Sequence, residues 1–349
     1  ATDSQYLNEM QVLTKRIVDA GFGYVRDGSV YFDVKKYSQQ HKYGQLLNLD
    51  MAGFKAGVRI DADEYEKENV QDFVLWKGHK EGEPFWEFDL NGEKLPGRPG
   101  WHIECSAMGE KELGCPFDIH TGGIDLKFPH HENEIAQSVI GYSQEQPVNY
   151  WLHNEHLLVD GQRMGKRFKN FYTVKDLKDK GINPLAYRYL CLQTNYGKQM
   201  NFTWEALQAA ENGLVHLQNQ LMNLKISHSG TVKISQVYNK KFINAINDDL
   251  NTPQALAVIQ ELLRSDLSDD KKYYTILWFD RVLGIITEWI GFRNDKQEEF
   301  SIEIKQIIKK REDARKNKNF VESDRLREEI EKLGYIVEDT KDGQRIYKK

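Results

Sequence analysis

The chain has 349 residues, enough for two or three domains and a sizeable buried core. With 48 Lys and Arg against 53 Asp and Glu its net charge is −5, which does not announce a nucleic-acid binder, although a local basic surface is compatible with it. No stretch is apolar and long enough to span a membrane, no secretory signal opens the chain, and Cys105, Cys115 and Cys191 form no disulfide-like framework, so the expected setting is reducing and cytoplasmic.

The chain opens in helical periodicity, with Tyr6, Met10, Leu13, Ile17 and Ala20 on one apolar face. Val25 to Val34 reads as a hairpin, with Asp27-Gly28 as its two-residue turn. Residues 35–99 are polar and turn-rich. Asp72 to Lys77 alternates enough for a strand, Pro84, Pro96 and Pro99 punctuate loops, and Trp76, Phe85 and Trp86 read as packing aromatics.

Arg98 to Gln137 gathers a Trp-His pair (Trp101, His102), a cysteine, a glycine loop with an aspartate, and the run His-His-Glu-Asn-Glu. His130 and Glu134 stand four apart, so they share one face if the run after Pro129 is a helix, and Pro129 suits a first helical turn. Cys105 would add sulfur to that nitrogen and oxygen, and zinc accepts all three donor types. The same residues also fit a small core cysteine beside a solvated His–Glu pair. Phe117-Asp118-Ile119 reads as the end of a buried strand and His120-Thr121-Gly122-Gly123 as a turn beyond it. Open α/β sheets bind ligands there, with glycines admitting close approach, Asp125 placed for ribose hydroxyls and His120 against a nucleotide. A plain strand-to-helix turn has the same pattern.

Leu157-Leu158-Val159 is a short strand, and Asp160-Gly161 turns the chain into a cluster of cations, Arg163, Lys166, Arg167 and Lys169. Such a cluster beside a flexible glycine suits a triphosphate; it also fits a solvated basic loop. From Thr203, a plausible cap, Leu207, Ala210, Leu214, Leu217, Leu221 and Leu224 recur at helical spacing, and Asn251-Thr252-Pro253 signals a second helix. Residues 301–349 carry 14 Lys and Arg against 11 Asp and Glu. There a helix over Ser301 to Lys316, another over Glu322 to Lys332, a stop at Gly334 and a hairpin (Tyr335 to Val337 with Gln344 to Tyr347) make a small α+β unit.

GRPGWHIECSAM, FDIHTGGIDLKFPHHENEIAQS and NYWLHN together closely resemble the catalytic core of the cysteinyl-tRNA synthetases, class I aminoacyl-tRNA synthetases, and the resemblance continues through NDDLNTPQALAV and EDARKNKNFVESDRLREEIEKLGYIVEDTKDG. It implies an α/β, partial class I Rossmann-type catalytic domain over residues 1–200 with an insertion at about 20–97. An all-α anticodon-stem-binding bundle over 201–295 and a small α+β anticodon-contacting domain over 300–349 should follow. The expected reaction is ATP-dependent activation of cysteine and its transfer to tRNA(Cys), with the family's N-terminal half, expected before Ala1, as a further partner needed for activity.

By the same resemblance Cys105, His130 and Glu134 ligate a zinc that binds the substrate thiolate; the family's fourth ligand, a cysteine, and its H-I-G-H motif belong to a first half expected before Ala1. His120, Gly122, Gly123, Asp125 and Trp101 form the ATP site with Met164 and Lys166. RMGKR stands where the family has K-M-S-K-S, so Lys166 and Arg163 are the expected catalytic cations for the phosphates and their Mg. Arg163 replaces the first lysine, and Gly165 and Arg167 replace both serines, which puts loop closure and rate in question. Two other readings stand beside this one. One is a ligase coupling cysteine to an amino-sugar, which needs neither bundle nor basic end; the other is an inactive tRNA-binding protein.

Overall fold

The computed structural model describes residues 3–47, 72–227, 232–286, 302–317, 319–340 and 343–348. The chain divides into two units, Ala1–Phe279 and Asp280–Lys349. In the first, α1 (Ser4–Asp19) is capped by Asp3, whose carboxylate accepts the Gln5 N–H at 3.0 Å, and it buries Leu7, Met10, Leu13, Thr14 and Ile17. The hairpin of β1 (Gly23–Arg26) and β2 (Ser29–Phe32) turns at Asp27 and Gly28, both at positive φ, as the Asp-Gly pair predicts.

After α2 (Val34–Gln40), β3 (Phe73–Gly78) joins the same antiparallel sheet. The short pair β4 (Asp89–Leu90) and β5 (Glu93–Lys94) precedes β6 (Gly97–Pro99), giving the order β1-β2-β3-β6. Phe73 through Trp76 are all buried, without the alternation expected for Asp72 to Lys77. β3 is an inner strand with packed residues on both faces, so its run reads as continuously apolar. Trp76 is fully buried and donates to the Leu95 carbonyl at 2.9 Å, whereas Phe85 is exposed.

Next come α3 (Trp101–Leu113), β7 (Phe117–Gly123), α4 (Glu132–Tyr142) and β8 (Val148–Asn154). β7 and β8 pair in parallel, with α3 and α4 packed on each other and on α1. The strand runs on through His120-Thr121-Gly122-Gly123, where a turn was expected, because Gly122 and Gly123 continue the ladder opposite His153 and Asn154. Its expected burial is not met, since no residue of β7 is buried. Ile119 and its cross-strand partner Tyr150 are exposed (57% and 69%), while His120 and Trp151, the next pair, turn toward the helices.

Buried carboxylates sit at both ends of residues 48–71, a part of the expected insertion that lies outside the described residues. Glu132 accepts the N–H groups of Gly44 and Leu46, and Tyr43 donates to Asn133. Asp72 accepts the Val34 N–H at 3.0 Å and the Tyr24 hydroxyl at 2.9 Å.

Beyond β8, β9 (Leu157–Val159) pairs antiparallel with β10 (Gln162–Arg163) and parallel with β11 (Met200–Phe202), around α5 (Val174–Asp179) and α6 (Pro184–Leu192). Thr203 caps α7 (Trp204–Met222), which buries Leu207, Ala210, Leu214, Leu217 and Leu221. Helices α8 (Gln236–Asn247), α9 (Thr252–Arg264, capped by Asn251) and α10 (Asp269–Leu283) follow; periodicity and caps located α7 and α9, but α8 and α10 were not individually read from the sequence. Among the described residues no helix is long and apolar enough to cross a membrane.

In the second unit α11 (Ile302–Lys316) and α12 (Phe320–Lys332) pack on the hairpin β12 (Tyr335–Thr340) and β13 (Gly343–Lys348) around Leu326, Ile330 and Val337. Arg311 is fully buried and meets both oxygens of Asp339, at 2.9 and 3.0 Å. The architecture is thus α/β followed by helices and a small α+β end.

Candidate active site

Three elements bring the site together. α3 carries Trp101, His102 and Cys105; the turn leading into α4 carries His130 and His131, and the first turn of α4 carries Glu134; the parallel pair presents His120 and Gly122 from β7 and Trp151 and His153 from β8. α4 begins at Glu132 rather than at Pro129, because Phe128 is extended (φ −142°, ψ 133°) and an irregular turn over Lys127–His131 leads into the helix. His130 and Glu134 nevertheless meet across that turn, with His130 Nε2 3.1 Å from Glu134 Oε1.

Donor atoms of Cys105, His130 and Glu134 all lie within 4.8 Å of one another. Neither protein-interior alternative describes them: Cys105 is only partly buried, and the His–Glu pair is buried rather than solvated. Glu134 is 4% exposed, and its Oε1, though 3.1 Å from His130 Nε2, accepts no well-directed hydrogen bond. An ionised oxygen so weakly satisfied in the interior is costly unless a cation faces it. The set therefore fits a metal of borderline softness. Against burial, which alone would raise it, the imidazoles of His120 and His130 hold the Glu134 carboxyl down to about 2. Burial, with the nearby Glu134 and Glu104 charges, pushes the Cys105 thiol up to about 12, so a metal would have to displace its proton.

Side chains to which the sequence reading gave no specific role surround this set. His102 Nδ1 is 2.8 Å from His130 Nδ1, which orients the His130 ring and leaves its Nε2 toward Glu134. His153 Nε2 is 2.7 Å from His131 Nδ1 in the same way. Burial lowers His131 to about 4, despite Glu134. Six of the ten histidines fall between residues 102 and 156, a local enrichment that could have flagged the cluster.

The glycine run also makes close contacts within the cluster. A Cβ on Gly122 would lie 2.7 Å from His131 Cε1, so this glycine admits the His131 ring against the strand. On Gly123 it would meet the Asp125 carboxylate at 2.4 Å. Asp125 is exposed in a short turn past the end of β7. His120 Nε2 reaches Glu134 Oε2 at 3.4 Å, and Trp101, 59% exposed, lies over His130 with ring centroids 4.7 Å apart.

Arg163 and Met164 stand on a different sheet, at β10 and just beyond it, with Arg163 exposed. The Asn170 carboxamide spans their loop, accepting the Gly165 N–H at 2.9 Å and donating to the Arg163 carbonyl at 3.1 Å. Within the loop the backbone of Lys166–Phe168 makes one tight turn, closed by Phe168 N–H on the Gly165 carbonyl at 3.0 Å.

The model of the tRNA synthetases class I (C) catalytic domain matches residues 1–212, a DALR domain residues 241–265, and the cysteinyl-tRNA ligase anticodon binding domain residues 297–346. The cysteine–tRNA ligase of Leptospira interrogans serovar copenhageni is 42% identical over 370 residues, covering 100% of this chain and 76% of the relative. That of Chlamydia abortus is 39% identical, covering 99% and 74%, and that of Brachyspira hyodysenteriae is 39% identical, covering 98% and 74%. Among solved structures, a Mycobacterium tuberculosis methionyl-tRNA synthetase bound by methionyl-adenylate shares the fold, with a TM-score of 0.50, 12% identity and coverage of 81% of this chain and 72% of that one. With a class I catalytic model over more than half its length and relatives of one name along nearly all of it, the chain belongs to the cysteine–tRNA ligase family, ATP-dependent ligases of the class I synthetase fold.

Proposed function

We propose that the chain activates cysteine with ATP to cysteinyl-adenylate and passes the cysteinyl group to the terminal ribose of tRNA(Cys). The observation that carries cysteine specificity is the convergence of Cys105, His130 and the buried Glu134 carboxylate. These residues would hold a zinc, which when bound supplies a Lewis-acidic partner for the substrate thiolate. Serine, lacking the sulfur, would leave that partner unsatisfied.

The chain's own groups do the rest by position and charge. Trp101 roofs the cluster from α3. His120, Gly122, Gly123 and Asp125, at the carboxyl end of β7, take the nucleotide, where ligands of open α/β sheets bind. Met164 lines the loop side. Arg163 and Lys166 would offset the charge of the phosphates and their Mg, and Asn170 braces the backbone of their loop.

The proposed modules are a catalytic domain over residues 1–200, a helical bundle over 201–295 that grips the anticodon stem, and a basic end over 300–349 that reads the anticodon. The family setting implies a cytoplasmic enzyme. The test is ATP–pyrophosphate exchange with cysteine and with serine. Exchange driven by cysteine, and reduced roughly a hundredfold with serine, is expected; equal exchange with serine overturns the reading.

A further inference from the structure

The buried carboxylate of Glu134 has more ligand-type neighbours than one four-coordinate ion can use. Its Oε1 faces His130 Nε2 at 3.1 Å and His131 Nε2 at 3.9 Å; its Oε2 faces His120 Nε2 at 3.4 Å. Two donors on one tetrahedral ion with bonds of 2.0–2.1 Å stand about 3.3 Å apart. Both the His130 and the His120 contacts have that spacing, on different oxygens of the same carboxylate. Donor atoms of His120, His131 and Glu134 lie within 4.8 Å of one another, as those of Cys105, His130 and Glu134 do. His131 is 1% exposed, and its Nδ1 is taken by His153, so its Nε2 is the nitrogen turned toward the carboxylate.

We propose a second metal position, formed by His120, His131 and Glu134, that takes a borderline divalent ion such as Zn2+ or Co2+, with Glu134 bridging to the first. Two histidines and one glutamate are a sufficient protein ligand set for such an ion, the remaining position being open. Bridged two-metal centres hold their ions about 3.5–4 Å apart, a span one carboxylate covers. The position engages His120, the residue proposed for the nucleotide. An ion there competes with ATP, so the position is an inhibitory one, filled when the metal is in excess.

The inference rests on the first metal reading only through the shared Glu134, and cobalt separates the two. Only the first set has a thiolate, so only it gives a thiolate-to-cobalt charge-transfer band; the second gives weak d–d absorption alone. Titration of the metal-free protein with Co2+ should show a second equivalent binding without growth of the charge-transfer band. His131→Asn and His120→Gln should each lose that equivalent and keep the band, while Cys105→Ser should lose the band and keep the His-Glu equivalent. Saturation of the unaltered protein at one equivalent with the band overturns the second position alone. One equivalent without the band overturns the first reading instead. Retention of both equivalents in His131→Asn and His120→Gln, or no binding by any form, overturns the proposal.

Discussion

Glu132, Asn133 and Glu134 are consecutive, buried and polar, and they face different partners. Glu134 turns into the histidine cluster; Glu132 and Asn133 turn the other way and hold the backbone at Gly44 and Leu46 and the hydroxyl of Tyr43. Glu134→Gln should therefore abolish metal binding, read by metal analysis. Glu132→Gln should leave metal in place while amide exchange at Gly44 and Leu46 quickens, since a bond to a charged acceptor is worth about 1.5–3 kcal/mol. Gly122→Ala places a methyl against His131; overpacking of that kind typically costs about 1–3 kcal/mol, and urea unfolding would show it. The spacing of His130 and Glu134, and the donor chemistry of Cys105, were legible because they follow from helix geometry and ligand type. The roles of His102, His131 and His153 were not. Their partners lie across α3, α4 and β8, and no periodicity in one segment encodes a ring contact with another.

Among the elements, those set by local chemistry were read well and those set by neighbours less so. Thr203, Asn251 and Asp27-Gly28 act within a few residues, and each sits where the sequence placed it. β3 lost its alternation to an inner position in the sheet, and β7 outran its predicted end because β8 continued the ladder. The cationic loop depends on one side chain from just outside it. Asn170→Ala removes both bonds across that loop and should raise the KM for ATP roughly tenfold, about 1.4 kcal/mol, with a smaller effect on the KM for cysteine in exchange assays. A loss of overall stability without that split would mark Asn170 as merely structural.

In the C-terminal unit Asp339→Asn leaves Arg311 buried without a counter-charge. Hydrogen-exchange protection over residues 302–340 should fall by about 3 kcal/mol. Bonding to Arg311 lowers the Asp339 pKa, though burial opposes it. The pair's stabilisation is accordingly full above the ordinary unfolded value near ~3.9 and is lost as pH falls through the lower, folded one. Unfolding of the unaltered protein followed down to that range should show the loss, and Asp339→Asn should not.

At the scale of the molecule the charge is divided unevenly. A chain of net charge −5 ends in 49 residues with an excess of three cations, and the buried Arg311 is already committed to Asp339. Affinity for tRNA should fall steeply as salt rises, through release of phosphate counterions. Removing residues 301–349 should weaken tRNA binding measured by filter retention while cysteine-dependent exchange persists. Loss of exchange on that truncation would contradict the proposed separation of the two activities. That helices and a small basic α+β end follow the α/β part was legible from helical spacing and composition; the reach of a tRNA-binding surface was not, because it depends on how side chains are displayed rather than on their order.

The buried carboxylate of Glu132 grips the N–H groups of Gly44 and Leu46, and that of Asp72 the N–H of Val34 and the hydroxyl of Tyr24. For protein engineering this makes Val34, Gly44 and Leu46 poor places to cut the chain, since a break there would part a buried carboxylate from its donors. Grafts at Gly122-Gly123, where His131 and Asp125 fill the space beside the backbone, should not be tolerated.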